Sequence, residues 1–418
     1  MTDPITTVSL CSGVALCAGV LARGALAAAT RRREEHEREL RQQTELEQFA
    51  GRVSATRLRT RVKNPLRRAW QGARVFRTAA IIDECDDVRS FYLTPQDDRP
   101  LARYQPGQYL TLELPQPGAP RPLVRCYSLS DRPHDEHYRI TVKRARPDGR
   151  GSGYFFDQVS VGTELHVRAP AGEFFLEPAT REPVALVAGG VGITPVLAML
   201  NAILHDQPGR EVVFFAGMRN SREHPFRRVL KQAAAENPAL RLSVCYSNPL
   251  PTDVLHSDYQ HHGRLTPERV RAVLPASNYT FYVCGSGPLM EQMIPGLEEW
   301  GVPPEKIHYE AFGPSSIRRG APESVAPTLT TPMVGQTIRL AKSQKEVVRR
   351  NAGESILEAA EQAGVRLNAG CRAGSCGECA VKLLAGKVKT LKRPGVQVAE
   401  GECLTCISAP DGPVELDA

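Results

Sequence analysis

Three cysteines, Cys371, Cys376 and Cys379, stand in a C-x4-C-x2-C arrangement, and two more, Cys403 and Cys406, follow within thirty residues. Three close thiols with a distant fourth suit the thiolate ligation of a two-iron, two-sulfide cluster. They do not pair off as a disulfide framework, and zinc sites more often come as two C-x2-C pairs. A [2Fe-2S] centre held by four thiolates carries net negative charge, so its loop must let backbone N–H groups turn toward sulfur. Gly370, Ala373, Gly374, Ser375 and Gly377 meet that need. Both Cys403 and Cys406 lie where the fourth ligand is wanted. The chain holds eleven cysteines, and the other six, Cys11, Cys17, Cys85, Cys126, Cys245 and Cys284, have no framework spacing. That usage fits a reducing compartment.

The segment Gly401-Glu-Cys-Leu-Thr-Cys-Ile resembles plant-type ferredoxins, in which the cysteine after Leu-Thr is the ligand. The resemblance implies metal ligation by Cys371, Cys376, Cys379 and Cys406, with Cys403 a bystander, and a β-grasp fold for residues 334–418. Strands are expected at 336–340, 346–349, 379–384 and 406–408. A helix is expected at 355–362, with Ile356, Leu357, Ala359 and Ala360 at core spacing.

The length of 418 residues leaves room for two or three domains, and 41% hydrophobic with 24% charged residues is a globular composition. The net charge of +7 is spread along the chain, and no nucleic-acid module accompanies it. Residues 1–30 are nearly uncharged and end against Arg31-Arg32-Arg33. Three readings compete there: a cleaved signal, which lacks a basic start, a buried helix, and an anchor helix with the basic run on the cytoplasmic side. The anchor is the expected one, placing the protein at the cytoplasmic face of a membrane, or in the cytoplasm without it. Residues 31–69 read as a charged, solvated helix or stalk followed by a basic linker.

From 70 to 180 short alternating segments, at 79–82, 90–93, 109–114, 138–143 and 164–167, are separated by Gly and Pro turns, which predicts an antiparallel β-barrel. Arg125-Cys-Tyr127-Ser128 lies within it. An Arg fork can hold a pyrophosphate, a Tyr offers a flat face to a ring system, and a Ser hydroxyl can hydrogen-bond a reacting nitrogen. Gly149-Arg-Gly151-Ser152-Gly153 follows and is expected to open a short helix at 154–159 whose N-terminus faces phosphate. The order of these elements resembles the ferredoxin reductase superfamily, whose R-x-Y-S element grips a flavin. Ala171-Gly172-Glu173-Phe174 resembles its closing barrel strand. The resemblance implies FAD, although some relatives use FMN, with Arg125, Tyr127, Ser128, Gly151 and Ser152 as binding residues.

Residues 181–312 alternate strand and helix, which predicts a parallel α/β sheet. The apolar run 184–188 enters Gly189-Gly190-Val-Gly192-Ile-Thr194-Pro195 and a helix, the arrangement that sets a pyrophosphate against backbone N–H groups. Cys284-Gly285-Ser-Gly287-Pro-Leu-Met resembles the superfamily's C-G-x-x-P-x-M ending, which implies that Cys284 lies near the nicotinamide. With Ser128 it is the expected catalytic pair. Phe312, in Glu310-Ala-Phe, is the residue the resemblance assigns to shielding the flavin face. Arg219, Ser221, Arg222 and Ser247 are candidates to meet an adenosine 2′-phosphate; NADH is nevertheless expected over NADPH.

Residues 313–333 read as a linker. As a whole, 70–418 resembles reductase components of the phthalate dioxygenase reductase type. The resemblance implies an NAD(P)H:acceptor oxidoreductase in which a flavin takes electrons in pairs from the nicotinamide and passes them singly to an iron–sulfur carrier. The implied acceptor is a terminal oxygenase, hydroxylase or desaturase. The competing reading is a non-enzymatic redox sensor that binds nucleotide and cluster.

Overall fold

The computed structural model describes residues 30, 33, 36–38, 40–49, 70, 72–97, 99–116, 118, 122–145, 149–312, 337–349, 353–365, 367–370, 372, 374, 377–391, 394 and 398–418. The expected anchor (1–30) lies outside them except for Thr30, and most of both linkers lies outside as well. Among the described residues no helix is long and apolar enough to cross a membrane.

The first unit is a six-stranded antiparallel sheet of β1 (Ala73–Cys85), β2 (Val88–Pro95), β3 (Tyr109–Leu114), β4 (Leu123–Ser128), β5 (Tyr138–Lys143) and β6 (Glu164–Ala171), in the order β4-β3-β6-β1-β2-β5. Every second residue of β1 from Arg74 to Ile82 is buried, but a register shift between Thr78 and Ala80 moves the buried set from the barrel core at Phe76 to the opposite face at Ala80 and Ile82. A Leu129–Ile140 bridge joins the two ends of the sheet and closes it into a barrel around Phe76, Phe91, Leu110, Tyr138 and Leu165. The last strand of the unit is β6; the expected strand at 171–174 is instead the exit from it, because Gly172, at φ +119, turns the chain away. Helix α2 spans Arg150–Asp157 rather than 154–159, and it lays Phe155 on Phe91 with centroids 4.9 Å apart.

Residues 40–49 are helical (α1), and this helix is not a free stalk. Phe49 is buried, its ring 4.8 Å from that of Tyr92, in a cluster with Ala80 and Ile82 on the outer face of β1–β2; Leu46 packs beside it. Arg38 bonds Asp86 at its exposed edge. Truncating the one large buried ring, Phe49→Ala, is expected to cost about 3 kcal/mol of docking. Amide exchange over 40–49 should then quicken about a hundredfold; unchanged exchange would show that the helix is held by something else.

The second unit is a parallel sheet of β7 (Val184–Gly189), β8 (Val212–Met218), β9 (Leu240–Tyr246), β10 (His261–His262), β11 (Thr280–Ser286) and β12 (Ile307–Phe312), ordered β10-β9-β8-β7-β11-β12. Helices α3 (Ile193–Asp206), α4 (Arg227–Glu236), α5 (Pro267–Val273) and α6 (Gly287–Glu299) cover it. The central strands are buried on both faces, hence the unbroken apolar run of β7. The chain steps from β7 outward to β8 and β9 and then returns to β11 on the other side of β7, so the sheet reverses between β7 and β11.

His224 is buried beneath this unit, with Nδ1 3.0 Å from the Tyr246 hydroxyl and Nε2 without a partner among the described residues. Burial, with Arg227 and Lys231 nearby, pulls it down to about 3. The unfolded histidine takes up a proton near pH 6.5 and the folded one does not, so stability is full above that value and falls as pH drops toward 3. At pH 5 the loss is about 2 kcal/mol. Urea midpoints at pH 7.5 and 5 check this, since His224→Gln should remove that share of the acid sensitivity.

The third unit has β13 (Thr337–Leu340), β14 (Lys345–Val348), β15 (Ala380–Ala385), β17 (Glu402–Leu404) and β19 (Val414–Leu416) in the order β14-β13-β19-β15-β17, with β16 (Val388–Thr390) and β18 (Ser408–Pro410) paired separately. Helix α7 (Ile356–Gln362) opens on a capping box between Ser355 and Glu358 and buries Ile356, Ala359 and Ala360 against the sheet. The expected strand at 406–408 is largely a turn over 405–407, with the Ile407 amide bonded to the Leu404 carbonyl.

Candidate functional site

Strand β4 carries Arg125, Tyr127 and Ser128, and it pairs with β3 so that Ser128 lies opposite Tyr109 and is buried. The first turn of α2 rests on this strand. A Cβ at Gly151 would stand 2.8 Å from Arg125 Cγ and 3.1 Å from the Tyr127 hydroxyl oxygen, so only glycine admits the approach. The Tyr127 ring meets Phe155 edge-on at 4.9 Å, and burial raises its pKa, keeping the phenol protonated. Arg125 Nη1 donates to the Val124 carbonyl at 2.8 Å, and no carboxylate pairs with it among the described residues. The α2 N-terminus, at Gly149, has no side-chain cap and no acidic residue in its first turn. A guanidinium beside uncapped helix N–H groups suits a pyrophosphate. Ser152 differs from expectation: its hydroxyl donates to the Gly149 carbonyl and accepts from the Ala145 amide, so it ties down the loop entering the helix.

The carboxyl ends of β7 and β11 meet at the point where the sheet order reverses, the position at which open α/β sheets take ligands. Gly189 and Gly285 face one another there, a Cβ on Gly285 falling 3.2 Å from Gly189 Cα. Gly192 is tighter: its Cβ would lie 2.3 Å from the Cys284 carbonyl oxygen. Gly190, at φ +55, turns the chain into α3 with open space beside it. Thr194 is buried and donates to the Val191 carbonyl at 3.0 Å, and Pro195 is buried in the same turn. Both therefore shape the turn. Gly287 opens α6 with Pro288 in its first turn. Cys284 is fully buried, its thiol held protonated by burial and by the charge of Glu310, its register partner on β12. Phe312 ends β12 opposite Ser286 and packs, half-buried, on the core of the parallel sheet.

The sequence offered no signal for the contacts that join the two sheets. Asn201 Nδ2, on α3, donates to Asp131 Oδ1 at 2.8 Å, three residues beyond Ser128. Arg222 pairs with Asp86 at 2.7 Å, and Lys143 with Glu223 at 3.3 Å. Arg219 also reaches Glu223, at 3.5 Å. The two arginines singled out for an adenosine phosphate thus each have a carboxylate partner.

In the third unit Cys379 and Cys406 bring their sulfurs to 3.0 Å, well beyond the ~2.05 Å of a disulfide. The Thr405 amide and hydroxyl both donate to the Cys379 carbonyl, at 3.0 and 3.2 Å, which locks the two cysteine loops together. Cys403 lies on β17 opposite Val381, in the core with Ile338 and Leu340, and burial pushes its thiol up to about 11. Cys371 and Cys376 lie outside the described residues. Between them Arg372 ties the loop to α7 through Glu361, Nη1 to Oε2 at 2.9 Å, and Gly374, at φ +75, leaves room for Ile407. Two adjacent buried thiols on facing loops fit a thiolate-ligated cluster.

Residues 77–176 match the oxidoreductase FAD-binding domain family, residues 186–295 the oxidoreductase NAD-binding domain family, and residues 340–411 the 2Fe-2S iron-sulfur cluster binding domain family. A flavohemoprotein from Rhodopirellula baltica is 38% identical over 252 residues, which are 59% of this chain and 62% of that protein. The chain spans about three fifths of the length of the curated relatives it matches. The FAD/NAD-binding domain of a nitric oxide dioxygenase from Vibrio cholerae superposes with a TM-score of 0.52 at 31% identity, covering 58% of this chain and 100% of that one. Phthalate dioxygenase reductase superposes with a TM-score of 0.50 at 25% identity, over 83% of this chain and 98% of that one. With FAD-binding, NAD-binding and iron–sulfur units in that order on one polypeptide, the chain belongs to the ferredoxin reductase superfamily, as an oxidoreductase with a C-terminal [2Fe-2S] domain.

Proposed function

We propose that this protein is an NADH-dependent reductase that delivers electrons one at a time to an oxygenase, hydroxylase or desaturase partner. The observation that carries the reading is the presence, on one chain, of the three units such a relay needs, with the nucleotide-side glycines of β7 and β11 at the reversal of the sheet. When bound, the flavin would accept two electrons from the nucleotide as a hydride and release them singly to the iron–sulfur centre. Arg125 and the α2 N-terminus would hold its pyrophosphate, and Tyr127 and Ser128 on the same strand would bind the ring system. Gly189, Gly190, Gly192, Gly285 and Gly287 let the nucleotide approach the backbone, and Cys284 supports that floor from beneath. Cys371, Cys376, Cys379 and Cys406 hold the iron. Attachment to a membrane through residues 1–30 belongs to this reading on sequence grounds, and fractionation of the intact protein tests it.

The Arg219–Glu223 and Arg222–Asp86 pairs support NADH, since an arginine already facing a carboxylate is a poor clamp for a further phosphate. The expected kcat/KM is at least about tenfold higher with NADH than with NADPH. The reading is tested anaerobically: NADH should bleach first the flavin and then the cluster absorbance, and sustain cytochrome c reduction. A protein that binds NADH and keeps its cluster but does not turn over would be a sensor instead.

A further inference from the structure

The loop between β4 and β5 carries Asp131, His134 and His137, a D-x-x-H-x-x-H spacing that the cofactor sites leave unused. One ligand atom from each lies within 4.8 Å of the others. The His134 Nε2 to Asp131 Oδ2 distance is 3.5 Å; two donors of a tetrahedral ion bound at ~2.1 Å stand about 3.4 Å apart. The two imidazoles are stacked, with centroids 4.5 Å and planes 22° apart, so the partly exposed His134 ring must turn for both nitrogens to face one ion.

His137 supplies a second, independent observation. It is 7% exposed, walled by the rings of Phe49 and Tyr92, and its Nδ1 has no hydrogen-bond partner among the described residues. A buried nitrogen of that kind is open to an ion or a water. His134, by contrast, is 23% exposed and lines a groove with Arg132, Asp135 and Glu136, which provides an entry path. We propose that Asp131, His134 and His137 form a binding site for a divalent ion of the zinc class, separate from the iron–sulfur centre.

Two imidazoles and a carboxylate are a borderline donor set that suits Zn2+ over Mg2+ or Ca2+. The opposing group is Arg139, whose Nη1 lies 3.4 Å from the same Asp131 Oδ2. The guanidinium has other partners to keep: the Ser130 carbonyl, the Ser130 hydroxyl at 3.2 Å and the Phe226 ring, 5.2 Å to the centroid. Asp131 Oδ1 meanwhile stays with the Arg132 amide and Asn201. Only Oδ2 turns to the ion, and the nearby positive charge makes binding weaker than at a closed structural zinc site. Because Asn201 belongs to the parallel-sheet unit, the ion would fix the carboxylate that joins the two sheets.

The test uses the full-length holoprotein with flavin and cluster in place, incubated with zinc chloride and freed of excess by gel filtration. The expected result is one zinc retained per chain, with an X-ray absorption shell of N and O donors near ~2.0–2.1 Å and none at the ~2.3 Å of sulfur. His134→Ala, on the partly exposed ring, should weaken retention at least tenfold with flavin and iron content unchanged. Zinc that does not stay on the protein, a sulfur shell, or equal retention by His134→Ala would each overturn the proposal. The absorption shell is read on the unaltered protein and stands even if the variant folds poorly.

Discussion

Gly192→Ala is expected to lower kcat/KM for NADH about a hundredfold and to destabilise the parallel-sheet unit by about 3 kcal/mol. The added Cβ would meet three backbone atoms, the Cys284 oxygen at 2.3 Å, its carbonyl carbon at 2.5 Å and the Gly285 nitrogen at 2.6 Å. None of these can rotate away, so β7 and β11 must separate at their carboxyl ends, where the nucleotide is proposed to lie. Gly190→Ala is the contrasting variant. It has open space around it but a φ of +55, so it should cost about 1 kcal/mol through the backbone alone. Steady-state kinetics and urea unfolding of the pair measure both terms. Equal behaviour of the two variants would mean that the packing of Gly192 on Cys284 does not set the site.

Cys406→Ser and Cys403→Ser should separate just as widely. The sulfur of Cys406 lies 3.0 Å from that of Cys379, in a turn whose amide and hydroxyl hold the partner loop. Its replacement is expected to strip most of the iron and lower NADH-driven cytochrome c reduction by more than about a hundredfold, since even outer-shell changes cost ten- to a hundredfold. NADH–ferricyanide activity, which needs only flavin, should persist. Cys403 sits in the β-sheet core, so Cys403→Ser buries a hydroxyl at about 1–2 kcal/mol and should keep its cluster. Iron content and visible absorbance decide the matter, and a cluster lost from Cys403→Ser alone would reverse the assignment.

Much of the fold was legible because its signals are local. The short β-prone runs at 109–114 and 138–143 mark strands, and β3 and β5 have those bounds, although nearly every residue of both is buried. The unbroken run at 184–188 marks a strand, buried on both faces, and the spacing of Ile356, Leu357, Ala359 and Ala360 marks the helix that follows Ser355. Where local preference and tertiary packing disagree, the reading slipped. Gly151, Ser152 and Gly153 are poor helix formers, so α2 was expected to begin after them, yet the approach to Arg125 and Tyr127 draws them into its first turns. In α1 only a few apolar residues stand among charges, and nothing local shows that Ile82 and Tyr92 present an outer face to receive Phe49. Thr194 and Ser152 have the right chemistry for a ligand, but neighbouring backbone groups already engage their hydroxyls.

The order of the three units, the thiols available for iron and the glycine turns that admit a nucleotide are all written in the linear chain, because each depends on residue types at short, fixed separations. Which hydroxyls and guanidiniums stay available, and how Asp131 comes to meet Asn201 seventy residues away, were decided only by the folded chain. Those outcomes rest on competition among partners brought together by packing, and separation along the sequence carries no record of that competition.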